Sequence, residues 1–356
     1  MTGDVSTLRL SAQLLGDPSA RSPTEVADRL LAIQAQDFRG AQLAIRARST
    51  GLSASDLADA LNQERSLVIT TLNRGTLHLV RSEDYGWLHA LTAPTVVTAN
   101  ARRLMQEGVA ADAADRAVGV IVRALADEGP LGRDALRRRV TAAGIETRGQ
   151  ALVHILLLAA LRGLVVRGPL IDGRPAFVLT GDWLGAPAGV DRDAALAELA
   201  RRYLTGHGPA AAGDLAKWSG LALRDVRAGL RILGSRLVER EDGLLALRGA
   251  PAPVALPAPR LLGPFDPVLL GWRSREDIVG SHGGIVTTNG IFRPIALVEG
   301  RAAATWTLRA GRVELAPFAP LDTATAAALD ADARAVVRYL ADAPPPDPGA
   351  TDQRGR

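Results

Sequence analysis

One sequence of structural punctuation occurs twice in this chain, and it restricts the fold more than any single residue does. A helix with apolar spacing is broken by Gly-Pro, a short helix and a longer helix follow, and two strands close on an Asp-Gly turn. In the first copy the predicted helix 118–127 precedes Gly129-Pro130, helices follow over 133–140 and 149–162, and strands 164–167 and 176–179 flank the turn at Asp172-Gly173. In the second, helix 194–204 precedes Gly208-Pro209, helices follow over 213–219 and 223–233, and strands 237–240 and 244–248 flank Asp242-Gly243. Asp-Gly supplies the two positive-φ positions that a tight hairpin needs. Three helices and a two-stranded hairpin form a winged helix, a helix-turn-helix variant that brings a helix or wing to a DNA groove.

A more divergent unit fits 8–80, where Ser53 to Asp56 opens a helix and strands 67–71 and 76–80 flank Asn73-Arg74-Gly75. Prolines at 251, 253, 257 and 259 exclude a helix and predict an extended linker. Beyond it, β-rich runs alternate with turns at Asn289-Gly290, Glu299-Gly300 and Gly311, and a helix over 321–340 follows. The expected fold class is α+β: three tandem winged-helix units followed by a C-terminal antiparallel β domain. The expected divisions are 1–115, 116–190, 191–249, a linker over 250–260, a β domain over 261–341 and a disordered tail over 342–356.

Length supports several cores in a chain of 356 residues. The formal charge is only +4, yet Lys217 is the sole lysine, so the basic side chains are arginines, whose forked donors suit phosphate and guanine edges. A GC-rich coding sequence produces the same bias. Without cysteine there are no disulfides, thiolate metal sites or cysteine nucleophiles. His78, His89, His154, His207 and His282 lack the spacing of a helical metal site, and no phosphate-loop pattern occurs, so no metal or other cofactor is expected. The amino-terminal residues lack an export pattern and the most apolar run, 151–166, contains His154 and Arg162; a cytoplasmic, nucleoid-associated, monomeric protein is expected.

One joint stands out chemically. Gln34 and Gln36 lie either side of Ala35, between a helix ending near Ile33 and a helix that Asp37 can cap. In an extended joint, residues two apart face the same way, so both amides point into one space. A solvated or capping pair has the same sequence. Arg39 and Gln42 follow on the next helix, Arg74 and His78 belong to the first hairpin, and Thr287, Thr288 and Asn289 form a later hairpin tip with Arg293 beside it. Each suits a DNA contact; an exposed helix face, a packed strand histidine and plain turn chemistry are the alternatives. Arg137, Arg138 and Arg139 either touch phosphate or solvate a short helix.

With these residues in view, the chain resembles the AlkZ-like DNA glycosylases. The resemblance is carried by Gln34-Ala35-Gln36, by Arg74-Gly75-Thr76-Leu77-His78 before a helix bearing Tyr85 and Trp87, by the repeated units, and by Pro264-Phe265-Asp266-Pro267 ahead of a β region containing 286–294. It implies hydrolysis of the N-glycosidic bond of bulky, cationic N7- or N3-alkylated purines in double-stranded DNA, with Gln34 and Gln36 catalytic. A broader branch has aspartate in place of the second glutamine; Gln36 makes this chain resemble the branch associated with self-protection by producers of DNA-alkylating antibiotics, including interstrand-crosslink unhooking. The alternatives are a non-enzymatic winged-helix regulator or lesion sensor, and a protein-interaction scaffold.

Overall fold

The computed structural model describes residues 5–186, 189–252 and 254–342. The expected tail falls almost wholly outside the described residues. The first repeat is built from helices Ala111–Glu128, Arg133–Ala142 and Ala151–Leu161 and strands Val165–Ile171 and Arg174–Leu179, whose turn has Asp172 and Gly173 at φ 51° and 71°. The second has helices Arg192–His207, Ala212–Ser219 and Leu223–Leu233 and strands Leu237–Glu239 and Leu245–Leu247. The amino-terminal unit contributes Pro23–Leu30, Phe38–Ala47 and Ala54–Asn62, then strands Leu67–Leu72 and Thr76–Arg81. Each run therefore follows the three-helix and hairpin order read from the repeat.

The hairpins are not all separate wings. Strands Leu67–Leu72 and Val165–Ile171 pair at Ile69 and Arg167, so the first two hairpins share a five-stranded sheet, with Ile33–Gln34 added at the outer edge of Thr76–Arg81. The physical reason is visible in Leu67–Leu72, Leu-Val-Ile-Thr-Thr-Leu, which is buried at all six positions. A strand apolar on both faces must be covered on both, and an unpaired edge there would be an aggregation template. The third hairpin remains a two-stranded sheet of its own.

After the extended, proline-rich segment, four antiparallel strands, Arg260–Leu262, Ile295–Val298, Arg301–Arg309 and Arg312–Pro317, run in sequential neighbour order. Helix Thr323–Ala341 packs across them through Leu329 and Val336, in a cluster with Leu261, Ala296, Ala304 and Trp306. That cluster also contains Leu43, from helix Phe38–Ala47. The C-terminal sheet is thus docked on the helix that begins immediately after the paired glutamines.

Two features fix this docking. Arg48 and Asp266, both without exposed side-chain surface, form a two-pronged ion pair at 2.7 and 3.0 Å; Arg48 also donates to the Ala44 carbonyl and the Gln13 Oε1, and Asp266 accepts from the Val268 amide. The chains approach closely where Gly40 meets Pro264: a Cβ at Gly40 would lie 2.3 Å from the Pro264 carbonyl oxygen. Backbone cannot rotate out of the way as a side-chain tip can. Gly40→Ala is expected to lower the thermal midpoint by an amount equivalent to roughly 1–3 kcal/mol, which differential scanning calorimetry of the full chain checks.

Candidate functional site

The glutamine joint is produced by an abrupt chain reversal. Helix Pro23–Leu30 ends at Leu31, which has φ 66°, an uncommon conformation for a branched residue. Residues Ile33 and Gln34 then pair with Leu79 and His78, and the Ala35 amide donates to the Leu77 carbonyl at 2.7 Å. Ile33 and Ala35 pack into the core with Ile69 and Leu79, which turns Gln34 and Gln36 to the other face. Asp37 ends the extended run by accepting the Gly40 amide at 3.2 Å and starts helix Phe38–Ala47.

The two amides meet. Gln34 Nε2 donates to Gln36 Oε1 at 2.6 Å; Gln34 is only 5 % exposed, whereas Gln36 lies at the surface. This contact leaves a carbonyl acceptor on Gln34 and amide donors on Gln36, so the pair presents opposite dipoles side by side. Flipping both amides preserves the contact and exchanges the roles.

Behind the pair lies a polar row. Gln34, His78 and Thr70 are successive cross-strand partners, and directly opposed residues share a sheet face. His78 is 2 % exposed and its Nδ1 meets the Thr76 carbonyl at 3.0 Å. Burial, reinforced by the nearby Arg74 charge, depresses its pKa to about 3, so the ring is neutral near pH 7. The Thr70 hydroxyl and both amide atoms of Asn73 are buried without a partner within the described residues.

Several expected DNA contacts are redirected by the tertiary structure. His78, sealed and neutral, is a packed strand residue and cannot act as a phosphate-pairing cation. Arg74 donates to the Lys217 carbonyl at 3.1 Å and to that of Trp218, tying the first hairpin tip to the end of helix Ala212–Ser219, where a cation suits the carbonyl-rich terminus. Gln42 is 7 % exposed because its helix is covered on that side, which withdraws it from the expected surface role. Arg139 pairs with Glu128, and Arg137 stands 4.0 Å from Asp134. Arg39 remains exposed one turn or less from the glutamines.

The later hairpin also approaches this region. The amide of Phe265, next to the Pro264 that abuts Gly40, donates to the Phe292 carbonyl, and the two rings stand 5.8 Å apart. From Val286 and Phe292 a short tip projects: the Thr287 amide bonds the Ile291 carbonyl, the Gly290 amide bonds the Thr287 carbonyl, and Gly290 has φ 73°. Thr288, Asn289 and Arg293 are exposed, Thr287 partly so. Ile291, 51 % exposed at the same tip, was not singled out from the sequence. The signal available was an apolar residue directly after Asn-Gly, where a solvated turn would favour a polar one.

Comparison with protein families matches residues 27–339 to the DNA glycosylase AlkZ-like family. The chain belongs to that family. Among solved structures, it is similar to the Streptomyces sahachiroi DNA glycosylase AlkZ, with 25% identity and a TM-score of 0.78 over 96% of this chain and 97% of that one. No curated protein matches. The protein is therefore a DNA glycosylase and its macromolecular partner is DNA. No helix among the described residues is long and apolar enough to cross a membrane, and no group of three His, Asp or Glu side chains there is arranged to hold a metal ion.

The depressed pKa of His78 has a thermodynamic sign. The unfolded ring binds a proton below about pH 6.5, but the folded one does so only near pH 3. Protons are thus taken up on unfolding across that window, and acid destabilises the fold. His207, fully buried against Tyr203 with ring centroids 4.8 Å apart and its pKa lowered to about 3, adds in the same direction. The thermal midpoint is expected to fall progressively from pH 7 to pH 4, with a shallower fall in His78→Asn; equal slopes in the two proteins would contradict the assignment.

Proposed function

We propose that this protein hydrolyses the N-glycosidic bond of cationic, bulky N7- or N3-alkylated purines in duplex DNA, with Gln34 and Gln36 as the reactive pair. The observation that carries this reading is their direct 2.6 Å contact at the surface end of a buried polar row. A purine alkylated at N7 or N3 already bears positive charge. As its bond to C1′ breaks, the bonding electron pair goes to the base and neutralises it, while charge moves to an oxocarbenium-like sugar. The requirement at the site is placement of dipoles against that sugar, and preorganised groups do this without reorganisation cost.

The Gln34 carbonyl oxygen accepts a hydrogen from the attacking water and faces the developing cation, while the Gln36 amide donates to a sugar or phosphate oxygen. Water oxygen bonds to C1′, and its proton leaves to bulk solvent, because neither carboxamide is a base near neutral pH. Neutral bases such as uracil, whose departure needs acid assistance, are poor substrates for this arrangement. In this reading Arg39 and the exposed tip bearing Thr287, Thr288, Asn289 and Arg293 hold the duplex around the pair. Interstrand crosslinks whose linkage includes such a purine fall within the same chemistry, and the biological setting we propose is self-resistance to a DNA-alkylating natural product.

Single-turnover release of 7-methylguanine from duplex DNA is expected to slow by about 10²-fold or more in Gln34→Ala and Gln36→Ala. Unchanged rates in both variants reject the pair as the reactive centre.

The reaction is proposed to be monofunctional. A lyase step needs an amine to form a Schiff base with the C1′ aldehyde, and the amine would have to be the amino terminus or the sole lysine, Lys217, which is held in helix Ala212–Ser219 whose end is tied to Arg74. Borohydride added during turnover is expected to trap no protein–DNA adduct, leaving an intact abasic strand; any trapped adduct would overturn this, and its loss or persistence in Lys217→Ala would tell the lysine from the amino terminus.

A further inference from the structure

On the side of helix Phe38–Ala47 away from its N-terminus lies a cleft of about 500 Å³, between the turn after that helix and the C-terminal helix Thr323–Ala341. Three arginines line it, Arg46, Arg260 and Arg338, against two carboxylates, Asp332 and Asp342. Asp332 is already engaged, since it pairs with Arg46 and accepts the Leu261 amide at 2.7 Å. Arg260 spends one donor on the Ala47 carbonyl, and Arg338 is exposed with no partner among the described residues.

Two donors here lack acceptors. Arg46 Nη1 is buried and unpaired although Nη2 of the same guanidinium is bonded to Asp332, and the hydroxyl of Tyr339, a residue 5 % exposed and lining the cleft, is likewise unpaired. Buried polar groups normally find partners, so two orphan donors beside the exposed, unpaired Arg338 favour an oxygen acceptor that carries negative charge. The Ser49 and Thr50 hydroxyls at the rim donate to the carbonyls of Ile45 and Pro18, so their hydrogens are spent and the donors left to the cleft are the arginines and the Tyr339 hydroxyl. The cleft suits a compact anion with several oxygens held by guanidinium and phenol.

We propose that Arg46, Arg260, Arg338 and Tyr339 form a phosphate-binding subsite separate from the glutamine pair. Its ligand is a phosphate group, supplied either by the DNA backbone or by a small phosphate monoester. Backbone phosphate has a geometric route to it: Arg39 and Arg46 are seven residues apart, hence on one stripe of a helix about 15 Å long that starts beside the glutamines. Guanidinium forks match phosphate oxygens in two-pronged fashion.

The test uses the full chain with inorganic phosphate, deoxyguanosine 5′-monophosphate and a lesion-free duplex, comparing wild type with Arg338→Ala and Tyr339→Phe. Phosphate is expected to raise the wild-type thermal midpoint above that in chloride of equal ionic strength, with the rise reduced in both variants. If the backbone is the source, Arg338→Ala also reduces the slope of log affinity for duplex against log salt by about one. A monoester source leaves that slope unchanged while the mononucleotide reproduces the stabilisation. Absence of any phosphate-specific shift in wild type together with an unchanged salt slope, or a shift equal in all three proteins, overturns the subsite. None of these readouts measures base release, so the outcome is independent of the reactive role given to the glutamines.

Discussion

The buried pair between Arg48 and Asp266 is the interaction on which the arrangement of this molecule depends. Two charges withdrawn from water are stabilising only when their hydrogen-bonding capacity is filled. Here Gln13 and the Ala44 carbonyl take further donors of Arg48 and the Val268 amide bonds Asp266, leaving the Arg48 Nε as the one buried donor of the pair without a partner among the described residues. The pair joins the end of helix Phe38–Ala47 to the start of the C-terminal region, and Gln13 brings the amino-terminal segment into the same node. Breaking one side leaves a buried charge with nowhere to go, which generally costs about 3–5 kcal/mol. The ion pair thus makes one body of segments more than two hundred residues apart in sequence, and it holds the helix that the paired glutamines lead into.

The same logic explains why arginine serves so many structural ends in this chain. Arg202 and Arg81 converge on the buried Asp84, which also accepts the Trp87 indole N–H at 3.2 Å. Arg74 reaches backbone carbonyls of the third unit. Arg81 meets Asp84 through Nε and Nη2 and Arg202 through Nη1 and Nη2, a planar two-pronged match to a carboxylate that a lysine ammonium cannot reproduce. An arginine-rich composition read as a DNA-facing surface is therefore partly an internal scaffold, and the number of arginines left for DNA is smaller than the sequence suggests. Arg39, Arg293 and Arg338 are among those that remain exposed.

At the glutamine joint, local geometry and tertiary contact play different parts. Strand alternation sets both amides on one face, and Ala35 packs behind them with the apolar core. What alternation does not fix is their unequal burial. Gln34 is covered because His78 is its cross-strand neighbour, whereas Gln36, beyond the last strand pairing, stands at the surface. An acceptor held in a partly dehydrated setting beside an exposed donor is a better electrostatic device than two solvated amides, since fixed dipoles act more strongly where water is excluded.

The sequence by itself determined the elements. Gly-Pro breaks, Asp-Gly turns and helical spacing placed the repeated helices and hairpins in their order, with helix Leu223–Leu233 matching its expected limits while helix Ala111–Glu128 begins seven residues before its expected start and strand Val165–Ile171 runs four residues past its expected end. The alternation around Ala35 also determined that Gln34 and Gln36 share a face. Only the tertiary structure decided which polar residues are available. It merged two hairpins into one sheet through the doubly buried strand Leu67–Leu72, turned Arg74 to an internal carbonyl, sealed His78 and Gln42, and exposed Ile291 at a hairpin tip. Periodicity reports how a segment contacts its immediate surroundings; solvent exposure, pairing and pKa depend on groups that arrive from distant parts of the chain, and no local pattern encodes their arrival.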